Sequence, residues 1–433
     1  MKDFSIMYRR QLIFSSMCLA AVAMGRRSFA IESSIDSAAT PEALDSWPGW
    51  RGPNRDASSP ARAWPKNLQP GVLEQTWRIP LDRGYSGPIV VGSSVVVAET
   101  KDVKKERVLA LDRLTGQTLW ETEWEGAMTV PFFAASNGSW IRSTPFSDGS
   151  RIYVGGMRDY FVSIDAITGN KLYEIDFAKR FNSELPGFGQ VCSPLIDNGR
   201  IYIQSGGGLL CLDAATGETI WRSLVESDAM YGSAFSSPII ATLHGVRQLL
   251  VQTRKDLCGI DLESGKTLWS QSVEAFRGMN ILTPTVWKDC LFVSSYGGKT
   301  QLFAPEPKPD GSWSVSERWS NKAEAYMSSP VVIGDFLYAH LKNQRAACFN
   351  LNTGEETWRT RPYGKYWSMI TNGQQILALD ETGKLFLINA NPEKFDLVDS
   401  REVSDQECWA HIALTNSQLF IRDLTSISMW TWQ

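Results

Sequence analysis

An eleven-residue phrase recurs along the 433-residue chain and constrains its fold more than any other feature. One copy reads ALDRLTGQTLW at Ala110–Trp120, and four more begin at Ser163, Cys211, Gly259 and Cys348. The starts are 53, 48, 48 and 89 residues apart, so the last interval spans two periods with one eroded copy. A period of this length indicates a repeat architecture in which each unit is one supersecondary element.

The parts of the phrase are typical of a tight turn between two strands. An Asp can accept hydrogen bonds from the backbone N–H groups of the turn, and a Gly can adopt the positive φ that the turn needs. An aromatic ring four residues after the Gly can fill the gap between neighbouring sheets. We therefore predict structural roles for Asp112, Asp165, Asp213, Asp261, Gly116, Gly169, Gly217, Gly265, Gly354, Trp120, Tyr173, Trp221, Trp269 and Trp358.

A wider pattern surrounds each phrase and predicts four strands in every unit. An S-x-P tripeptide comes first, followed by two alternating strands, the phrase and a closing strand. The tripeptides are Ser86–Pro88, Ser143–Pro145, Cys192–Pro194, Ser236–Pro238, Leu282–Pro284 and Ser328–Pro330, with worn versions at Trp367–Met369 and Ala410–Ile412. Eight such units predict an all-β, eight-bladed β-propeller of four-stranded antiparallel blades.

The two ends of the chain predict how the ring closes. The eighth unit stops at the C-terminus without a phrase or a fourth strand, whereas residues 72–80 (VLEQTWRIP) form a lone strand containing Trp77. Docking this strand as the outer strand of blade 8 would complete the blade and remove an exposed sheet edge. We expect residues 72–80 to close the propeller in this way, and Trp77 to share the structural role of the phrase aromatics.

With these motifs, the chain resembles the PQQ-like (pyrroloquinoline quinone) propeller repeat family from about Trp47 to the C-terminus. That family includes quinoprotein dehydrogenases and the outer-membrane assembly lipoprotein BamB. The segment WPGWRGPNRD (Trp47–Asp56) also resembles the opening of secreted planctomycete-type proteins with the same repeat. The resemblance implies the fold and leaves the activity open.

The first thirty residues are typical of an export signal. Arg9 and Arg10 precede an apolar run from Leu12 to Met24, and a small-x-small cleavage site ends near Ala30. The paired arginines favour a twin-arginine signal, with an ordinary secretion signal as the alternative. We expect residues 31–46 to be a flexible linker and residues 47–433 to be the propeller. The mature chain would then be soluble in the periplasm or outside the cell.

The charge of the mature chain excludes one class of partner. Residues 1–30 contain five of the 43 basic residues and one of the 47 acidic residues, so 38 and 46 remain and the net charge is −8. This balance argues against nucleic-acid binding. No other segment is apolar and long enough to be an integral membrane segment. The six mature cysteines are expected to be buried single thiols, although an exported chain permits disulfides.

The sequence lacks the motifs of the common catalytic and metal sites. Its three histidines have no metal-type spacing, and it contains neither C-x-x-C-H nor G-x-S-x-G nor a Walker loop. The family resemblance would imply PQQ stacked between a Trp and a disulfide of adjacent cysteines, with Ca²⁺ held by Glu and Asn beside a catalytic Asp. No Cys-Cys pair is present, and no motif supplies the Glu/Asn/Asp set. We therefore expect no catalytic residue, metal or cofactor, and keep PQQ with Ca²⁺ as the alternative.

The irregular connections between blades are the best candidates for a binding site, because loops carry function on a rigid scaffold. They should surround the mouth of the central channel. The hairpins between second and third strands lie on the same face and are basic. Their charges either attract an anionic ligand or are simply those of solvent-exposed turns. The candidate ligand-binding residues are Trp140, Arg142, Gln190, Tyr231, Arg277, Asn280, Tyr326, Lys365, Trp367, Trp409 and His411.

These observations predict a non-catalytic binding or assembly scaffold that presents its loop-rich face to a protein or an anionic ligand. One alternative is a degenerate PQQ-dependent oxidoreductase, based on the family repeat. Another is a carbohydrate-binding propeller with a glycan ligand, based on the aromatic residues of the loops. We expect a monomer.

Overall fold

The computed structural model describes residues 45–59, 64–226 and 234–432. The predicted signal, most of the predicted linker and Tyr231 lie outside these residues. Strand β1 (Leu73–Pro80) precedes the first blade. Blades 1 to 4 contain β2 (Ile89–Val91), β3 (Ser94–Lys101), β4 (Lys105–Asp112), β5 (Thr118–Glu125), β6 (Phe146–Ser147), β7 (Arg151–Gly156), β8 (Tyr160–Asp165), β9 (Lys171–Asp176), β10 (Leu195–Asp197), β11 (Arg200–Ser205), β12 (Gly208–Asp213), β13 (Thr219–Ser223), β14 (Ile239–Leu243), β15 (Val246–Gln252), β16 (Asp256–Ile260) and β17 (Thr267–Ser272).

The second half of the ring repeats this arrangement. Blades 5 to 8 contain β18 (Thr285–Trp287), β19 (Cys290–Ser294), β20 (Thr300–Pro307), β21 (Trp313–Asn321), β22 (Val331–Ile333), β23 (Phe336–His340), β24 (Arg345–Asn350), β25 (Glu356–Pro362), β26 (Trp367–Thr371), β27 (Gln375–Asp380), β28 (Lys384–Asn389), β29 (Asp396–Glu402), β30 (Ala413–Thr415), β31 (Gln418–Arg422) and β32 (Ser426–Trp432). Helical elements in the described residues are short: α1 (Phe177–Phe181) and two 3-10 turns at Phe132–Asn137 and Phe276–Gly278. No helix in these residues is long and apolar enough to cross a bilayer.

The predicted eight-bladed propeller is confirmed by the sheet topology. The described strands form eight four-stranded antiparallel sheets, each in sequence order from the channel outward except the last. In that blade β1 pairs with β32, from Leu73 opposite Trp432 to Pro80 opposite Ser426. The outer strand of blade 8 therefore comes from the opposite end of the chain, as the sequence predicted.

The recurring phrase forms the turn between the third and fourth strands of a blade. Asp112 Oδ1 accepts hydrogen bonds from the backbone N–H groups of Leu114 (3.1 Å) and Thr115 (2.8 Å), and the same contacts recur at Asp165 and Asp213. These backbone bonds and the threonine hydroxyl lower the pKa of each carboxyl. The phrase glycines have φ between +71° and +75°, a region that L-residues other than Gly rarely adopt.

The phrase aromatics join each blade to the next. The Trp120 ring lies against Gly169 of blade 2, where a Cβ would come within 2.7 Å of it, and Trp120 Nε1 donates to the carbonyl of Ala166 (3.1 Å). Trp77, at the closing strand, packs in the same way on Gly116 and donates to the Arg113 carbonyl (3.1 Å). The ring closure therefore uses the same contact as the other blade junctions.

Blade 5 is the unit with the eroded copy of the phrase, as the spacing predicted, and it still contacts the next blade through a tryptophan. Its phrase is absent, but Trp319 on β21 lies against Gly354 of blade 6 and donates from Nε1 to the Leu351 carbonyl (2.7 Å). Trp269 of blade 4 has no such glycine to pack on in blade 5, and its Nε1 donates to Gln248 Oε1 (2.7 Å) instead. Blade 5 therefore forms the junction with blade 6 without containing the phrase.

The six cysteines of the described residues are free thiols. Five are buried and Cys290 is half-buried. Burial raises the pKa of Cys192, Cys211, Cys258 and Cys348 to about 11. A thiol with a raised pKa is a poor nucleophile at neutral pH, so these side chains contribute to packing.

Candidate ligand-binding funnel

Residues 45–59, here called the axial segment, fill one end of the central channel. The segment begins at Asp45, within the residues that the sequence assigned to a flexible linker. Its backbone bonds to blade 1 through Trp47 N and the Val90 carbonyl (3.0 Å), and to blade 2 through the Pro48 carbonyl and Ser147 N (2.8 Å). Ser59 N donates to the Thr371 carbonyl of blade 7 (2.7 Å).

Side chains of the axial segment reach the remaining blades. Arg55 donates to carbonyls of blade 3 (Ser193, 3.2 Å) and blade 4 (Pro238, 2.8 Å). Trp50 Nε1 donates to Thr283 Oγ1 of blade 5 (3.0 Å), and Arg51 donates to the Pro330 carbonyl of blade 6. Asp45 Oδ1 accepts from Asn416 Nδ2 of blade 8 (2.9 Å). The fifteen residues therefore form hydrogen bonds with all eight blades and close this end of the channel.

The two arginines of this segment are buried without a paired carboxylate. Arg51 is 2% exposed and Arg55 is 3% exposed, and their guanidinium groups donate to backbone carbonyls. Burial lowers the pKa of Arg51 to about 10 and that of Arg55 to about 9, so both remain charged at neutral pH. The closed end therefore places two positive charges on the channel axis.

Hydroxyl groups of the S-x-P tripeptides form a girdle around the channel. Thr144 Oγ1 accepts from Gly87 N (3.1 Å), Ser193 Oγ accepts from Thr144 N (2.9 Å), and Ser237 Oγ accepts from Ser193 N (3.0 Å). In each bond the hydroxyl of the middle tripeptide residue accepts from the backbone of the preceding blade. Because the repeat places these residues at equivalent heights, the girdle forms a polar floor beneath the opposite mouth.

The opposite end of the channel is open and contains a cavity of about 410 Å³. Pockets of this size enclose small ligands or a few side chains. The lining combines three arginines with aromatic side chains and with the girdle hydroxyls, and Trp50 of the axial segment contributes to it from below. The cavity-lining polar and aromatic residues are Trp50, Tyr85, Asn137, Arg142, Phe188, Ser193, Phe235, Ser237, Arg254, Arg277, Thr283, Tyr326, Ser329, Tyr366, Trp367, Ser368, Trp409 and His411.

Aromatic rings form a continuous arc along blades 5 to 8 and into blade 1. Ring centroids are 4.6 Å apart between Tyr296 and Tyr326, 6.0 Å between Tyr326 and Tyr366, 4.9 Å between Tyr366 and Trp409, and 4.7 Å between Trp409 and Tyr85. Burial raises the pKa of Tyr85 and of Tyr366, so their phenols stay protonated. This wall presents ring faces and hydroxyl groups.

The other wall carries the arginines. The Arg142 guanidinium lies 5.5 Å from the Tyr85 ring centroid and donates to the Gly138 carbonyl (2.7 Å). The Arg254 guanidinium lies 4.4 Å from the Phe235 ring centroid and donates to the Arg277 carbonyl (2.5 Å). Burial lowers the pKa of Arg142. Rings and carbonyls thus hold both guanidinium groups in place.

Six of the sequence-predicted binding residues line the cavity together: Arg142, Arg277, Tyr326, Trp367, Trp409 and His411. Four described candidates do not line it. Gln190 donates to the Cys192 (3.0 Å) and Gln204 (3.1 Å) carbonyls, and Asn280 donates to the Arg254 (3.1 Å) and Val273 (3.0 Å) carbonyls, so both hold loop backbone. The Arg83 guanidinium lies 5.0 Å from the centroid of the Trp140 ring. Lys365 is exposed.

Trp50, Tyr85 and Phe235 line the cavity without having been predicted. Tyr85 directly precedes the first S-x-P tripeptide, so the position rule used for the other blades would have found it. Trp50 belongs to the WPGWRGPNRD segment, whose paired Trp and Arg residues were the available signal. Its place depends on where the segment inserts, which no local pattern shows.

The basic hairpins around the mouth are largely neutralised. Lys101 lies 3.1 Å from Glu123, Lys342 lies 3.1 Å from Glu324, and Lys299 lies 3.5 Å from Glu317. Arg422 is buried and donates to the Gly84 carbonyl (3.1 Å). The alternative reading of these residues, as ordinary exposed or structural bases, describes most of them.

The residues present do not fit PQQ with Ca²⁺. Calcium takes six to eight oxygen ligands, most often including carboxylates. Within residues 45–59, 64–226 and 234–432, no Asp or Glu lines the cavity and no cluster of three potential metal-ligating side chains occurs. The donor set of the funnel, cationic and aromatic, does not match a divalent cation.

Comparisons with known proteins agree with the architecture. A BamB of Shewanella oneidensis, an outer membrane protein assembly factor, is 21% identical over 344 residues, covering 76% of this chain and 78% of that protein. The crystal structure of BamB from Moraxella catarrhalis superposes with a TM-score of 0.63 at 17% identity, covering 83% of this chain and 100% of that one. A europium-containing methanol dehydrogenase shares the fold with a TM-score of 0.54 at 10% identity, covering 90% of this chain and 99% of that one.

The family model described as outer membrane protein assembly factor BamB matches residues 104–360, which include the phrases of blades 1 to 4 and of blade 6. That span exceeds half of the chain. The repeat, the eight-bladed ring and this match lead to one conclusion. The chain belongs to the BamB family of PQQ-like β-propeller proteins.

Proposed function

We propose that this protein is a non-catalytic, exported scaffold that binds a protein partner through the open face of its funnel. The observation that carries the proposal is a group of exposed apolar side chains around that mouth. They are Val103 (65% exposed), Phe132 (91%), Leu185 (38%), Val225 (58%) and Phe276 (50%), and all lie in connections or hairpins of blades 1 to 5 on the same face. Exposed apolar residues on the face that contains the open cavity are available to a partner protein.

The family supports the same reading, because the curated relative from Shewanella oneidensis is an outer membrane protein assembly factor. The cavity supports a binding role rather than catalysis. Its histidine is buried beneath Trp50, and burial together with the charge of Arg51 lowers the pKa of His411 to about 3. A histidine that stays neutral across the physiological range is a poor proton-transfer group.

A crosslinking experiment tests the proposal with matched positions on the two faces. A photoreactive amino acid would replace Phe276 or Leu185 at the open face, and Leu114 or Ile167 in the phrase turns at the opposite face; all four are exposed. In the native cell we expect a discrete protein adduct from the first pair only. Adducts confined to the second pair, or no adduct from any position, would refute the scaffold.

Export and oligomeric state complete the proposal. The Arg9–Arg10 pair supports a twin-arginine signal with cleavage near Ala30. Replacing both arginines by Lys should leave uncleaved precursor in the cytoplasm, and cleavage of the variant at the normal rate would instead favour the general secretion route. Light scattering of the mature chain should give the mass of one chain.

A further inference from the structure

The open cavity carries charge of one sign in a chain of the opposite sign. Arg142, Arg254 and Arg277 line it, and no acidic residue in the described part of the chain does, although the whole chain has 47 acidic and 43 basic residues. Beneath its floor lie the buried guanidinium groups of Arg51 and Arg55. A cleft lined by one sign of charge with low-dielectric walls focuses its field on ligands of the other sign.

Arg107 shows how an arginine outside the cavity differs from those that line it. Arg107, on β4, lies 2.9 Å from Glu121 and also contacts the buried Glu99. Arg142 instead contacts a ring face and donates to a backbone carbonyl. Its positive charge is therefore available to a ligand, whereas that of Arg107 is already compensated.

Buried donors of the lining point to the same chemistry. Arg142 Nε, Trp367 Nε1 and Trp409 Nε1 are buried and have no hydrogen-bond partner among the described residues. Trp367 is 4% exposed. Buried polar groups in folded proteins are almost always satisfied, so these donors are open to acceptors that a ligand would supply. All three groups are donors, which an oxygen-rich ligand would satisfy.

We infer that the cavity binds an acidic segment of the protein partner, with a carboxylate held by Arg142 and Arg277 and an adjacent aromatic or aliphatic side chain against Trp50 and the aromatic arc. The inference rests on the proposed function and specifies its ligand. A peptide is favoured over a free small anion because the exposed apolar residues Leu185, Val225 and Phe276 flank the mouth. A segment entering the funnel would cover them, and its carboxylates would meet the cationic wall.

The first test is a peptide titration with the full mature chain. A dye-labelled peptide in which Asp or Glu alternates with Phe or Leu is compared with the same peptide carrying Asn and Gln. We expect the acidic peptide to bind about tenfold more tightly or better, and its affinity to fall as salt rises, because exposed charge pairs are screened. Equal binding of the two peptides would overturn the inference.

The second test removes the cations. Arg142→Gln with Arg277→Gln should weaken acidic-peptide binding about tenfold or more and flatten its salt dependence. Arg277→Gln alone is the variant that keeps the test valid if the double variant is unstable, because Arg277 is exposed. The control is Lys266→Gln, which removes one exposed charge at a phrase turn on the opposite face and should leave the affinity unchanged. Unchanged affinity in the Arg277→Gln and double variants would overturn the inference.

Two further outcomes separate the ligand from the scaffold. Arginine-dependent binding of an oligogalacturonate, with no binding of the acidic peptide, would replace the peptide by an anionic glycan and overturn the inference. Crosslinked partner adducts at Phe276 that persist unchanged in the arginine variants would also overturn it while leaving the scaffold intact. Loss of those adducts in the arginine variants, with retention in Lys266→Gln, would support both proposals.

Discussion

Both ends of the central channel contain arginines, but the arginines of the closed end bond to the blades and those of the open end face the cavity. At the closed end, Arg51 and Arg55 donate to backbone carbonyls of blades 3, 4 and 6. At the open end, Arg277 is exposed and Arg142 retains a buried Nε without a partner. The first-strand ends of a propeller offer a ring of carbonyls, so arginines there join blades together. The irregular connections offer no such ring, and arginines there remain available for ligands.

The largest expected effect tests the closed end. Arg55→Met should lower the free energy of unfolding by about 3 kcal/mol, because carbonyls of blades 3 and 4 lose charged donors in a buried site. Urea-induced unfolding would measure it. The control is Arg247→Met on the same face, a half-exposed partner of Asp197 (2.6 Å), for which a loss below about 1 kcal/mol is expected. Equal losses would mean that Arg55 does not hold the blades together.

The next effect concerns the boundary between the two ends, where His411 contacts Trp50 with ring centroids 5.0 Å apart. Burial and Arg51 lower the pKa of His411 from 6.5 to about 3. Because the folded pKa is lower, this group favours the folded state above pH 6.5, and that contribution is lost as the pH falls toward 3. Between these values the wild type should lose up to about 1.4 kcal/mol per pH unit relative to His411→Gln. Parallel stability curves for the two proteins would contradict the buried, neutral imidazole.

A smaller effect is expected for Trp50, which belongs to the closed end but forms the floor of the open one. Trp50→Phe removes the hydrogen bond to Thr283 and should lower the free energy of unfolding by about 1 kcal/mol. A double-mutant cycle with Thr283→Val isolates this bond, because the two changes should not be additive. Strict additivity would show that the indole N–H contributes nothing to closure.

The smallest stability effect is expected at the open end itself. Arg277→Gln should change the free energy of unfolding by no more than about 0.5 kcal/mol, because the side chain is exposed and pairs with no carboxylate in the described contacts. Thermal and urea unfolding would both measure this. A loss as large as that of Arg55→Met would remove the distinction between the two ends.

Much of the fold was predictable from short-range patterns. The phrase encodes a turn whose bonds join residues two or three positions apart, as between Asp112 and Thr115, so the turn can be identified in isolation. Trp319 was not predicted, because it makes the junction contact in a blade that lacks the other residues of the phrase. Six cavity residues were found because they directly precede or belong to the S-x-P tripeptides or their irregular loops.

The sequence alone determined the number of blades, their strand order and the closing role of residues 72–80, since each depends on local turns and alternation repeated at a regular period. Only the tertiary structure decided which arginines are structural. Arg55 meets Ser193, 138 residues away, and Arg51 meets Pro330, 279 residues away. The sequence around an arginine does not show whether its guanidinium will bond to carbonyls or face an open cavity, because the assembled blades decide its surroundings.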